Sequence, residues 1–224
     1  MSMTLVWLLC LAVPLGLSLW AQSKVKRTFA HYSEVPVRSG MTGAQAAAAV
    51  IQASGLPDVD IRFVEGRLTD HYDPRSRTLN LSADVGQAST VAALGVAAHE
   101  AGHAIQDARH YVPMRVRQAF VPAASIGSSL AVPLIFLGFL LGAVGLTNVG
   151  LALFTAIVVF QLITLPVEFD ASKRALVALR DGRLLEVDEL DGAKRVLSAA
   201  AWTYVAAFVA ALAQLIYFFL ASRR

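Results

Sequence analysis

The run Val96 to Ala108, VAAHEAGHAIQDA, carries the residue types and spacing that could do chemistry. His99 and His103 stand four residues apart, with Glu100 beside the first, among alanines and glycines. On a helix, residues i and i+4 share a face with their Cβ atoms about 5–6 Å apart. Two imidazoles so placed can reach one zinc ion at about 2.0–2.1 Å each. Glu100 would stand beside that ion, able to take a proton from an activated water and hand it to a leaving amine. This is the His-Glu-x-x-His zinc signature. Without a shared ion, a carboxylate and two imidazoles in an apolar helix would be costly to bury. Ala97, Ala98, Ala101, Gly102 and Ala104 keep the helix slim, so neighbouring backbones can approach closely.

A catalytic zinc usually has three protein ligands and one position open for water. His110 lies i+7 from His103, roughly 10 Å further along a continuous helix. His31 and His71 have no motif around them. The segment TLPVEFDASKRA, Thr164 to Ala175, offers the acids Glu168 and Asp170. Its Pro166 either starts a new helix or kinks an old one. Asp107, Asp170 or Ser172 could hydrogen-bond the second ring nitrogen of a histidine ligand. A developing oxyanion would need an electrophile beside the metal. Tyr204, His110, Tyr72 and Arg174 are the candidates.

The elements that must position these residues are largely those of a membrane protein. Of the 224 residues, 56% are hydrophobic and 16% charged, too apolar for an average soluble domain. Stretches at about Leu5–Ala21, Ala119–Val144, Val149–Leu165 and Ala199–Ala221 contain no Asp, Glu, Lys or Arg. Each approaches or exceeds the length of about 20 apolar residues that spans a hydrocarbon core. The first reads as a retained anchor, not a signal peptide, since no basic residue precedes it and Lys24, Lys26 and Arg27 follow it. The second and third form a hairpin turning around Gly145 to Asn148, which puts everything before and after the hairpin on one side. Arg109, Arg115, Arg117, Lys173, Arg174, Arg180 and Arg183 make that side cytoplasmic, although Arg223 and Arg224 then fall on the far side.

Between the first two spans, Thr42 caps a helix over Gly43 to Ala53 that Gly55 ends. DVDIRFVEG, Asp58 to Gly66, alternates as a strand. HYDPRS reads as turn formers before a second strand, RTLNLS, Arg77 to Ser82. That second strand is either an edge on which an extended substrate pairs or an ordinary internal strand. Ser89 or Thr90 starts the helix that carries the histidines to Ala108. Pro166 to Ser198 reads as helical and charged, punctuated by Gly182 and Gly192. Cys10 is the lone cysteine, which excludes an intrachain disulfide and a thiolate zinc cluster. The net charge of +3, without a block of like charges, gives no nucleic-acid footprint.

AAHEAGHAIQ, LPVEFDAS followed by RAL after one residue, and AAAWTYVAA (Ala199 to Ala207), in this order, resemble the YugP-type membrane zinc metallopeptidases over nearly the whole chain. More distantly the pattern is similar to the HtpX and CAAX-prenyl endoprotease peptidases. That resemblance implies Glu168 as third ligand beside His99 and His103. The orienting Asp of those peptidases is replaced here by Ser172.

The expected fold is mostly α, a multi-pass membrane protein of four transmembrane helices with a small α+β zincin-like extramembrane domain. Its parts are an anchor at 5–21, the zincin-like domain at 24–118, a transmembrane hairpin at 119–165, a helical segment at 166–198 and a last transmembrane helix at 199–221. The expected activity is a zinc endopeptidase of the cell membrane, with one catalytic Zn²⁺, Glu100 as base, and a membrane or juxtamembrane protein substrate met on the cytoplasmic side. The competing expectation is a zinc-stabilised scaffold without catalysis, against which Glu100 argues because a structural site needs no base. A transporter would carry charge within its spans, and these carry none.

Overall fold

The computed structural model describes residues 3–66 and 69–223; Arg224, invoked above for the far side of the membrane, lies outside them. The elements in order are α1 (Met3–Ser33), α2 (Gly43–Ala53), β1 (Asp60–Val64), β2 (His71–Asp73), β3 (Thr78–Ser82), α3 (Ala83–Gly86), α4 (Val91–Ala108), α5 (Val112–Leu141), α6 (Val144–Asp181) and α7 (Val187–Ser222). They fall into two compact units. One comprises Met1–Gln22, Val112–Pro166 and Trp202–Arg224, the other Ser23–Tyr111 and Val167–Ala201.

The first unit is helical. Among the described residues, three helices are long and apolar enough to cross a membrane: α5, α6 and α7. The turn between α5 and α6 lies at Gly142 and Ala143, three residues earlier than expected, and Gly145, Thr147 and Asn148 belong to α6. Gly142 takes φ +62°, a left-handed conformation that ends a helix at no steric cost to glycine. The next amide, Ala143 N–H, donates to Gly138 O at 2.9 Å, closing a Schellman cap. Close approach then runs down the hairpin. A Cβ on Gly150 would stand 2.9 Å from the backbone of both Ala131 and Ile135. Ala131, Ile135, Leu151, Phe154, Val158 and Phe218 form the unit's core. Phe136 and Leu140 point outward, the latter 81% exposed, as lipid-facing side chains would be.

The second unit is a small sheet packed with helices. β3 is its central strand, parallel to β1 and antiparallel to β2. RTLNLS is therefore internal and cannot take a further strand, because both of its edges are paired. The free edge nearer the histidine helix is β2, formed from residues that read as turn formers. Asp73 still makes the turn, accepting from Arg75 N–H and Ser76 Oγ at 2.9 and 2.8 Å.

Thr42 caps α2 in a reciprocal pair with Gln45, and Gly55 ends that helix at φ +71°. Thr90, not Ser89, caps α4 through Ala93 N–H. α6 runs through Pro166 without a break. Arg183, not Gly182, takes the left-handed turn after α6, and Gly192 lies inside α7. The unit's core collects Ala46, Ala47 and Val50 of α2, Leu79 and Leu81 of β3, and Leu94, Ala97, Ala98 and Ala101 of α4. Val167, Ala171 and Ala175 of α6 are fully buried in the same unit.

Candidate metal centre

Thr90 starts α4 and the spacing of its alanines decides which face turns inward. That face carries His103, which is buried, and His99, which is half-buried. Gly102 lets the second wall approach: a Cβ there would stand 2.5 Å from Ala171 O on α6. The two backbones are therefore nearly in contact, and Glu168, one turn before Ala171, reaches both imidazoles. Glu168 Oε2 lies 3.3 Å from His99 Nε2 and 3.6 Å from His103 Nε2, across 69 residues of chain from His99. The two rings sit edge to face at 4.8 Å. One ligand atom from each of the three residues lies within 4.8 Å of the others, so the three can hold a metal ion.

The donor set can be tested against zinc. A tetrahedral zinc with bonds of about 2.0–2.2 Å separates its ligand atoms by roughly 3.3–3.6 Å. The carboxylate-to-imidazole distances match. The other ring nitrogens are already engaged, which leaves both Nε2 atoms for an ion. His103 Nδ1–H donates to Gln106 Oε1 at 3.0 Å, and His99 Nδ1 meets Ser172 Oγ at 3.1 Å. Gln106 is fully buried and its amide donates to Val167 O and Asp170 Oδ2, both at 2.8 Å. Because Nε2 faces two acceptors, Oε1 must be the atom that faces His103, and the tautomer of that ring follows.

Glu100 is buried on the same helix, and its Oε2 accepts from the backbone N–H of Tyr72 on β2 at 3.1 Å. Burial pushes the Glu100 carboxyl above the ordinary carboxylate range, against the opposing influence of His99 and His103. For His103, burial favours the neutral ring, but the Glu168 and Glu100 carboxylates outweigh it and raise its pKa.

The other residues singled out in the sequence separate clearly. His31, His71 and His110 are exposed and do not join the cluster among the described residues. His110 closes α4 at φ +52°. His71 Nδ1 bonds Thr69 O. Asp107 accepts from Tyr72 Oη at 3.0 Å and touches neither histidine ligand. Arg174 is held by Asp170 at 2.5 Å and lies over the Tyr111 ring. Tyr204 belongs to the other unit. Ser172 holds His99, and Asp170 acts on His103 through Gln106. Sequence reasoning missed Gln106, whose signal was a polar side chain one turn after His103 on the helix face that carries both histidines.

Comparison with known proteins places the chain in a family. Residues 7–223 match the family described as "Putative neutral zinc metallopeptidase". The chain belongs to that family. It is 46% identical over 205 residues to the "Putative membrane protease YugP" of Bacillus subtilis (strain 168), covering 91% of each chain. No solved structure matches it.

Proposed function

We propose that the chain is a membrane-anchored zinc endopeptidase in which His99 Nε2, His103 Nε2 and Glu168 Oε2 hold the metal and Glu100 is the base. The observation that carries this reading is the meeting of those three atoms, with the remaining ring nitrogens already bonded to Gln106 and Ser172. When bound, zinc would supply a Lewis acid that lowers the pKa of water toward about 7 and polarises the scissile carbonyl. Glu100 takes the water's proton and delivers it to the amine nitrogen as the peptide bond breaks, giving a carboxylate and an amine. Tyr72 N–H fixes Glu100 Oε2, which leaves Oε1 for the transfer. β2, as the edge strand that bears Tyr72, can pair with an extended substrate, the role considered above for RTLNLS.

In this reading the first apolar stretch, Leu5–Ala21, is a fourth span, and the metal centre works on the cytoplasmic side of the cell membrane. Glu168 follows Leu165, the end of the third apolar stretch, by three residues, which favours substrates that are themselves in or beside the bilayer. The second reading, a zinc-stabilised scaffold, is weakened by the tethered Glu100.

Zinc per chain and cleavage of casein or a membrane-anchored substrate test the proposal. Glu100→Gln should keep one zinc and lose at least about 100-fold in rate. Glu168→Ala should lose most of its zinc. A Glu168→Ala protein with normal zinc would remove the third ligand from the scheme, and a fully loaded wild type that cleaves nothing would favour the scaffold.

A further inference from the structure

Apart from the metal centre, α1 and α7 build a second site within the same unit. Lys24, Arg27, Thr28 and His31 follow one another at i, i+3, i+4 and i+7 on α1, and Asp191, Lys194, Arg195 and Ser198 repeat that spacing on α7. These residues and Tyr32 line a cavity of about 630 Å³, within the roughly 300–1,000 Å³ of small-molecule sites. Such a stripe is the one by which helices ordinarily bury apolar side chains against each other. Here it sets cations from both helices around one space. The acid among the lining residues, Asp191, is bonded to Arg195 at 2.9 Å. The two helices are in close contact beside this space: Tyr32 packs on Gly192, where a Cβ would lie 2.7 Å from its ring. Like charges gathered around an open cavity are stabilised by an anion within it.

Two observations say what kind of anion. Lys24 comes three residues after the apolar stretch ending at Ala21, and Ser198 immediately precedes the one starting at Ala199, so both stripes occupy the juxtamembrane position of their helices. Asp191, Lys194 and Ser198 also line a neighbouring, mostly apolar cavity of about 580 Å³, whose walls include Phe169, Leu176, Val177 and Leu197 together with Lys173 and Arg180. A cationic chamber sharing a wall with an apolar one has the polarity of an amphiphile. We propose that this pair of cavities binds an anionic phospholipid, its phosphate among Lys24, Arg27 and Lys194 and part of an acyl chain along the apolar wall. The proposal is independent of the metal and of catalysis.

Native mass spectrometry of the full chain in neutral detergent tests it, with phosphatidylglycerol, phosphatidylcholine and inorganic phosphate as probes. Phosphatidylglycerol should bind about tenfold or more tightly than phosphatidylcholine. Lys24→Gln/Arg27→Gln/Lys194→Gln should abolish that preference. Arg62→Gln/Arg75→Gln/Arg109→Gln, which removes three exposed cations elsewhere in the unit, should leave it intact. Circular dichroism and elution volume report whether the first triple variant folds; if it does not, Lys194→Glu alone should lower phosphatidylglycerol affinity at least about threefold. Equal binding of the two lipids, equal loss in both triple variants, or displacement of the lipid by millimolar phosphate would overturn the proposal.

Discussion

Gln106 makes three hydrogen bonds with one buried amide, to His103, Val167 O and Asp170. It joins the histidine helix to the carboxylate helix and sets the tautomer of one proposed ligand at the same time. Leucine has nearly the same volume and none of these bonds. Gln106→Leu should therefore weaken zinc binding by about 10–100-fold, measured by competition with a chelator. It should also cost about 1–3 kcal/mol of stability in the metal-free protein, because Val167 O stays buried without its donor. Unchanged zinc affinity would reduce Gln106 to a packing residue. The first two members of the cluster were legible because i, i+4 spacing is local; position offered Glu168 only alongside Asp170 beyond the hairpin, and the family resemblance selected it. The bonds of Gln106 were not, since they exist only after α6 docks on α4.

The elements themselves were legible where a local rule governs them. Thr42 with Gln45 and Thr90 with Ala93 N–H are caps that sequence spacing announces. The hairpin turn was misplaced because the apolar run offers glycines at both 142 and 145, and hydropathy does not distinguish them. β2 was hidden because three residues are too few to show alternation, and its pairing with β3 is a tertiary event. The helix contact at Gly102 belongs to the same class. Its neighbour there is the Ala171 carbonyl, backbone that cannot swing away. Gly102→Ala should push α4 and α6 apart, lower stability by about 1–3 kcal/mol and weaken zinc binding. Gly145→Ala, which meets nothing within 4 Å, should stay within about 0.5 kcal/mol of wild type. Thermal unfolding in detergent, with and without zinc, distinguishes the two. A Gly102→Ala protein with wild-type stability and zinc affinity would show that the helices approach less closely in solution.

At the scale of the whole molecule, the proposed membrane hairpin would fix which chain segments share a compartment. If α5 and α6 both span the bilayer, the turn at Gly142 and Ala143 returns the chain to the side it left, so that 24–111 and 167–198 would face the same solution. This is a requirement of the metal scheme, because His99 and His103 precede the hairpin and Glu168 follows it. By the positive-inside rule, Arg115, Arg117, Lys173 and Arg174 on that side would make it cytoplasmic, as proposed. The expectation can be tested with single cysteines in a Cys10→Ala background. Asn148→Cys, near the hairpin turn and exposed, should react with a membrane-impermeant maleimide added to intact cells. Arg75→Cys, also exposed, should react only after the membrane is permeabilised. The reverse pattern would invert the orientation and leave the metal scheme intact. Labelling of both from outside would contradict the hairpin and, with it, the meeting of Glu168 and the histidines in the bilayer-bound protein.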